Sequence, residues 1–320
     1  MIRIYYNRPF PETRSTDRRF QPQEAPVQVA QNAVRKTEQT PQIIPSGKGC
    51  GAEVTGVDLA ALDPVTVATL QQAVREHLVV VVRGQPITDP QLIALGKSFG
   101  ELEPPGMSPI GKPYLDEFPD ILVISNVMEQ GIPKGNLGSG EAIWHTDMSY
   151  RPKPCTIAIL HALEVPPTGG NTYFANQYLA YDTLSDELKQ KLDGLEVIHD
   201  ETYNSAGMLR KGFKEVTDPR EAPGARHKIF RTHPLTGRKA LYLGRRRNAY
   251  ILGLPLEESE RLLDELWAHA SRPEFVWHNE WKVGDTLIWD NRCLIHRRDP
   301  FDANQRRMMH RVQIRGEATQ

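Results

Sequence analysis

The sequence predicts a mainly β fold with helices packed against its outside, a β-sandwich or jelly-roll core in an α+β setting. Two observations carry this expectation. Short strand-like segments recur along the chain between long connections, and only four stretches show helical signals. With 320 residues, 39% of them hydrophobic, the chain can bury one large β-rich core or two ordinary ones.

Residues 1–41 are rich in Arg, Gln, Pro and Thr without sustained periodicity and read as a flexible extension, leaving 42–320 as the folded domain. Glu12, Asp17, Glu24 and Glu38 in that extension argue against an acid-poor organellar presequence. Asp63-Pro64 is a helix N-cap followed by proline at the first helical position, and Val67, Leu70 and Val74 continue at helical spacing to about His77. Leu78 to Val82 is a continuous apolar run closed by Arg83-Gly84, as expected for a strand buried on both faces. Asp89-Pro90 opens a second helix with Leu92, Leu95 and Phe99, and Gly100 suits its C-cap. Further helices are expected around Ser185 to Leu192 and Glu257 to Ala270. Strands are expected at Ile121 to Val127, Thr156 to Val165, Thr172 to Ala175, Ala240 to Leu243, Thr286 to Trp289 and Val312 to Ile314. Residues 200–232, with several glycines and prolines, read as one long connection, either a lid over a site or a surface insertion.

Charge and cysteine content exclude several classes. The 39 basic and 40 acidic residues nearly cancel, which leaves no electrostatic footprint for nucleic acid or an anionic membrane. No apolar run approaches the roughly 18 residues of a membrane span, and the start lacks a secretory hydrophobic region. Cys50, Cys155 and Cys293 are odd in number and far apart, which fits neither a disulfide framework nor a zinc knuckle. A cytoplasmic protein acting on a small-molecule substrate is expected, and a homo-oligomer stays open.

The chemistry concentrates in two places. In WHTDMSY, residues 144–150, His145 and Asp147 stand two apart, a spacing that puts both on one face of an extended segment. With 10 histidines in the chain, about half of one such His-x-Asp pair is expected by chance, so the pair alone decides nothing. Near the end, GDTLIWDNRCLIHRRDPFDANQRRMMHRVQIRG supplies His296 after a strand, then Arg307 and Arg311 four apart in an extended segment, on one face with Met309. Two histidines and one carboxylate from separate strands make the facial triad of a mononuclear Fe(II) centre, and converging arginines could grip a carboxylate. His145, Asp147 and His296 supply that set.

The sequence resembles the taurine dioxygenase family of Fe(II)- and 2-oxoglutarate-dependent oxygenases, through WHTD, PPTGGNTYF, THPLTGRKALYLG, and WDNRCLIHR with QRRMMHR, in that order from about residue 51 to the end. The resemblance implies a double-stranded β-helix, jelly-roll or cupin-like core. It implies iron on His145, Asp147 and His296, 2-oxoglutarate held by Thr172 and Arg307 at its distal carboxylate, and O2 as oxidant. Arg311 would meet an anionic primary substrate, with Asn126 and Met148 as further substrate contacts. The implied reaction hydroxylates or oxidatively cleaves a small, anionic organic molecule with release of succinate and CO2.

One departure bears on substrate. Residues 101–119 carry no histidine and position 141 is Glu141, where taurine-cleaving relatives have a histidine and an asparagine, so taurine itself is not the expected substrate. Ser125-Asn126 and the LYLG…GLP region resemble the aryloxyalkanoate-cleaving branch instead. Structural readings stand beside the functional ones. A lone His145 is more often a satisfied core histidine, a lone Thr172 a strand threonine, and Asp290 and Asn291 turn caps. His161, His199, His233 and His310 are read as structural, and Arg245 to Arg247 as a solvated turn or a clamp for an acidic substrate. The competing classes are a zinc hydrolase with the same ligands and a non-catalytic metal-bound sensor or binding module.

Overall fold

A computed structural model describes residues 40–106 and 112–319. Residues 1–39, nearly all of the expected extension, lie outside the described residues. Strands β1 (Gln42–Pro45) and β2 (Ala52–Thr55) pair antiparallel. Helix α1 (Pro64–His77) starts where Asp63 Oδ1 accepts the Thr66 amide at 2.6 Å, the expected cap followed by proline. Strand β3 (Val79–Val82) follows, and then α2 (Asp89–Phe99). The α2 entrance is fixed by Gln91 Oε1 accepting the amide of the cap residue Thr88, and Asp89-Pro90 are the first helical residues, as expected.

Next come β4 (Leu122–Ser125), the hairpin β5 (Met128–Glu129) and β6 (Ile132–Pro133), then β7 (Asn136–Leu137), β8 (Ala142–His145), β9 (Ile157–Glu164) and β10 (Thr172–Asn176). Helices α3 (Gln177–Asp182) and α4 (Asp186–Leu192) precede β11 (Glu196–Asp200), β12 (Gly224–Lys228), β13 (Phe230–Thr232), β14 (Lys239–Leu241) and β15 (Tyr250–Ile251). The chain finishes with α5 (Leu256–Ala270), β16 (Val276–Asn279), β17 (Thr286–Asp290), β18 (Leu294–Arg298) and β19 (Met308–Gln313).

An eight-stranded sheet runs β1-β2-β3-β17-β9-β19-β4-β7 and a four-stranded sheet runs β16-β10-β18-β8. Phe174 and Leu294 of the smaller sheet share one apolar cluster with Leu160, Leu287, Trp289 and Met309 of the larger, so side chains of both sheets make a common core. The other face of the large sheet packs Val80, Val82, Ile159 and Val312 against Leu70 of α1 and Leu92 and Leu95 of α2. This explains the valine run: β3 sends Val79 and Val81 to one core and Val80 and Val82 to the other. On the outer side of the small sheet, Ile295 packs with Leu262, Leu263 and Leu266 of α5. Truncating Leu266, fully buried there, should cost about 2–5 kcal/mol.

The expected connection at 200–232 is shorter than the sequence suggested. Residues 224–232 form β12 and β13, whose alternating Arg226 and Lys228 gave no apolar signal because that face is exposed. The remaining segment carries a Tyr203–Leu209 bridge and docks on β8 through the Ile143 amide, which donates to Ser205 O at 3.0 Å. Among the described residues, no helix is long and apolar enough to cross a membrane.

Candidate metal centre

His296 on β18 lies directly opposite His145 on β8 in an antiparallel pair, which sets the two imidazoles 4.2 Å apart between ring centroids. Asp147 completes the group, but not by strand alternation. β8 ends at His145, and Asp147 sits in the turn beyond, followed by Met148 with φ +54°. What aims Asp147 is Asn291: its Oδ1 accepts the Asp147 amide and its Nδ2 donates to the Asp147 and Cys155 carbonyls. The turn-cap reading of Asn291 was therefore incomplete.

One ligand atom from each of His145, Asp147 and His296 falls within 4.8 Å of the others, and all three residues are buried. Asp147 Oδ1 is 3.6 Å from His145 Nε2, and Oδ2 is 3.8 Å from His296 Nε2. His145 Nδ1 is 2.7 Å from Ile143 O, so it donates there and leaves Nε2 as the free lone pair. Burial and the neighbouring His145 push His296 down to about 3 against the pull of Asp147, so its imidazole is neutral at ordinary pH. Burial raises the Asp147 carboxyl, but Arg311, His296 and His145 outweigh it and hold the group well below the usual carboxylate range. Two imidazoles and a carboxylate gathered on one side suit a non-haem Fe(II) site with open positions.

Four residues before Arg311, whose guanidinium meets Asp147, Arg307 is a second buried cation. The Arg307 guanidinium is 1% exposed and forms no ion pair or side-chain hydrogen bond among the described residues. Burial, then the neighbouring charge of Arg298, drive it well below the ordinary arginine value, which marks a cation short of an anionic partner. Gly170, at φ +66°, leaves the space: a Cβ there would stand 3.3 Å from Arg307 Cδ and Nε. This is the structural content of the PPTGGNTYF motif. Thr172 Oγ1 accepts from Trp281 Nε1 at 3.0 Å, which leaves the hydroxyl hydrogen free to donate.

The substrate residues expected from the sequence fare differently. Asn126 is spent on the fold: Oδ1 accepts the Arg307 amide at 2.9 Å, and Nδ2 donates to Ala303 O and Gln305 O. It braces the turn before β19. Met148 is buried in the ligand turn, where its carbonyl accepts the Arg151 amide. Arg311 is close to the ligand group as expected but is not without a partner, since Nη1 donates to Asp147 Oδ2 at 2.7 Å and Nη2 to Gln313 Oε1 at 3.3 Å. Gln313, two residues on along the same face, also reaches Asp147 Oδ2 at 3.2 Å. Sequence reasoning missed it and Trp281, although the alternation Arg307, Met309, Arg311, Gln313 would have indicated Gln313. His310 points to the opposite face, with Nδ1 2.6 Å from Asp89 Oδ1 on α2.

Comparison with known proteins points to one family. The profile of a family described as taurine catabolism dioxygenase TauD, TfdA family matches residues 42–313. The chain is 35% identical over 293 residues to an (S)-phenoxypropionate/alpha-ketoglutarate-dioxygenase of Sphingobium herbicidovorans, covering 86% of this chain and 95% of that one. It is 33% identical to an alpha-ketoglutarate-dependent 2,4-dichlorophenoxyacetate dioxygenase of a Burkholderia species, covering 80% and 88%. Among solved structures, AAD-2 in complex with Mn(II) and N-oxalylglycine superposes with a TM-score of 0.73 at 34% identity, covering 88% of this chain and 99% of that one. A taurine dioxygenase from Burkholderia xenovorans gives 0.70 at 32% identity, covering 88% and 91%.

Proposed function

Because the chain belongs to the TauD/TfdA family of 2-oxoglutarate-dependent dioxygenases, we propose that it uses Fe(II), 2-oxoglutarate and O2 to hydroxylate or oxidatively cleave a small anionic organic molecule. The observation that carries this reading is the buried His/Asp/His donor set together with Arg307, four residues before the Arg311 that meets Asp147, a buried guanidinium with no ion pair among the described residues. His145, Asp147 and His296 would hold the metal, and the two sheets would form the double-stranded β-helix around it. Arg307 and Thr172 would hold the distal carboxylate of 2-oxoglutarate by a charge-assisted fork and a hydroxyl. Bound Fe(II) supplies O2 activation coupled to loss of CO2 from the co-substrate, leaving succinate.

The protein's own part is placement and charge balance. Asn291 fixes the carboxylate ligand, and Ile143 O fixes the His145 tautomer. Arg311 and Gln313 both donate to Asp147 Oδ2, so Oδ1 would be the oxygen freer to hold the metal. Relatives named for phenoxypropionate and 2,4-dichlorophenoxyacetate support an acid with an aromatic or other apolar body as substrate class. The test is anaerobic: Fe(II) with 2-oxoglutarate should give a visible charge-transfer band that Asp147→Ala and His296→Ala lose. On admission of O2 and a phenoxy acid, succinate should form in step with O2 uptake. An unchanged band in both variants would remove the ligand assignment, and succinate without O2 uptake would remove the reaction class.

A further inference from the structure

Of the three arginines in GRRRNAY, two are committed at the surface. Arg246 is held by Glu260 at 2.6 Å and Asp264 at 2.7 Å. Arg247 is exposed and lies over the Tyr203 ring at 3.3 Å. Arg245 is different. Its backbone bridges His145, and the adjoining Gly244 O accepts the Thr146 amide at 2.9 Å, so Arg245 is tied to the strand that ends in the candidate metal ligands. It is 6% exposed, its Nη1 donates to Tyr203 O, its Nε meets no acceptor, and it forms no ion pair among the described residues.

A second guanidinium belongs to the segment that Arg245 holds: the Arg210 amide donates to Thr202 O at 2.8 Å, next to the Tyr203 carbonyl that Arg245 meets. Arg210, on the segment docked against β8, lies over the Tyr150 ring at 3.9 Å, and its buried Nε has no acceptor. The carboxylate of Asp200, which lies near Arg245, is occupied by the Thr202 amide and Asn248 Nδ2. Burial, then the Arg210 charge, lower Arg245 to about 10, with Tyr150, Asp200 and Asp147 offsetting only part. The charge of Arg245 is also felt at His296. Two guanidiniums on adjoining segments, each with an unmet buried Nε and no ion pair among the described residues, are costly to keep, and a carboxylate or sulfonate between them would satisfy both. Arg311, the arginine that sequence alone offers to the substrate, is ion-paired within the chain: Nη1 donates to Asp147 and Nη2 to Gln313, and only its Nε is without a partner.

We propose that Arg245, with Arg210 from the docked segment, holds the acidic group of the primary substrate beside His145, Asp147 and His296. This rests on the anionic-substrate reading above. It makes the 201–212 segment part of the substrate site: Arg210 closes on an anion that Arg245 holds from the β8 side.

The test is equilibrium binding without O2, read as the shift of the Fe(II)–2-oxoglutarate band on adding 2-phenoxypropionate, 2,4-dichlorophenoxyacetate or hexanesulfonate, each beside its uncharged amide. In Arg245→Gln the Kd for the preferred acid should rise at least about tenfold while that of its amide moves less than about threefold, and Arg245→Lys should fall between. Arg210→Gln should raise the acid-to-amide ratio at least about threefold, and it carries the test if Arg245→Gln does not fold. Acid and amide weakened equally would make Arg245 a staple for the Tyr203 carbonyl and overturn the proposal. So would an unchanged ratio in Arg210→Gln. A wild type that prefers acids while Arg245→Gln keeps the preference sinks only this inference. A wild type that distinguishes no acid from its amide sinks the anionic reading and the inference together.

Discussion

Asn291 grips Asp147 by both of its backbone polar groups, Oδ1 accepting the amide at 3.0 Å and Nδ2 donating to the carbonyl at 2.9 Å. The same Nδ2 reaches Cys155 O at 3.0 Å, so one buried amide joins the ligand turn to the start of β9. A carboxylate in a turn with a positive φ beside it is otherwise free to swing. Asn291 removes that freedom before any ion arrives.

Asn291→Ala should therefore weaken metal binding by about ten- to hundredfold, the usual effect of losing a group that orients a ligand. Titration with Fe(II) or Mn(II) checks this. Affinity for 2-oxoglutarate, measured at saturating metal, should change much less, because Arg307 and Thr172 are untouched. Equal metal affinities in wild type and variant would make Asn291 a turn cap only.

Arg307→Ala should weaken 2-oxoglutarate binding by about 2–5 kcal/mol, and lysine should rescue it only in part because an ammonium cannot reproduce the planar fork. Gly170→Ala should act in the same direction with Arg307 intact. Its new Cβ would stand 3.3 Å from Arg307 Cδ and Nε at a backbone φ of +66°. Metal titration of the glycine variant should be close to normal while the co-substrate Kd rises. A normal 2-oxoglutarate Kd in both variants would move the carboxylate site elsewhere.

Local rules made much of this legible. Asp63-Pro64, Ser185 and the valine run carry their structure in the chain itself, because a cap or a two-faced strand needs only its own neighbours. Helix α3 was not visible: six residues show little periodicity, and its start rests on Asn176 Oδ1 accepting two amides. The site residues divide the same way. His145, Asp147, His296, Arg307 and Thr172 stand in quotable motifs. Trp281, which orients Thr172, lies 109 positions from it in sequence. The bracing role of Asn126 was not visible because its partners, Arg307 and the turn before β19, meet it only after folding. Arg245 looked like its two neighbours, and only burial tells them apart.

Stability should fall as pH drops from about 6.5, the ordinary histidine value, toward 5. His199 is buried, neither of its ring nitrogens makes a well-formed hydrogen bond to another described residue, and it stacks on Tyr242 with centroids 5.1 Å apart. Burial, then the neighbouring His227, hold it well below its ordinary value, and burial likewise lowers His227. The unfolded chain therefore takes up protons that the folded chain refuses. The stability is fully present above the unfolded value and is lost as pH falls toward the depressed folded values. The depressed carboxyls of Asp147 and Asp290 do not enter this window, because their unfolded forms titrate only near 4. Each such histidine contributes a slope of up to about 1.4 kcal/mol per pH unit. His199→Phe keeps a flat ring against Tyr242 and removes the titration, so urea unfolding at pH 7.5, 6.5 and 5.5 should show a shallower loss in the variant by up to that amount. Parallel lines for wild type and His199→Phe would mean that His199 is protonated as readily in the fold as outside it.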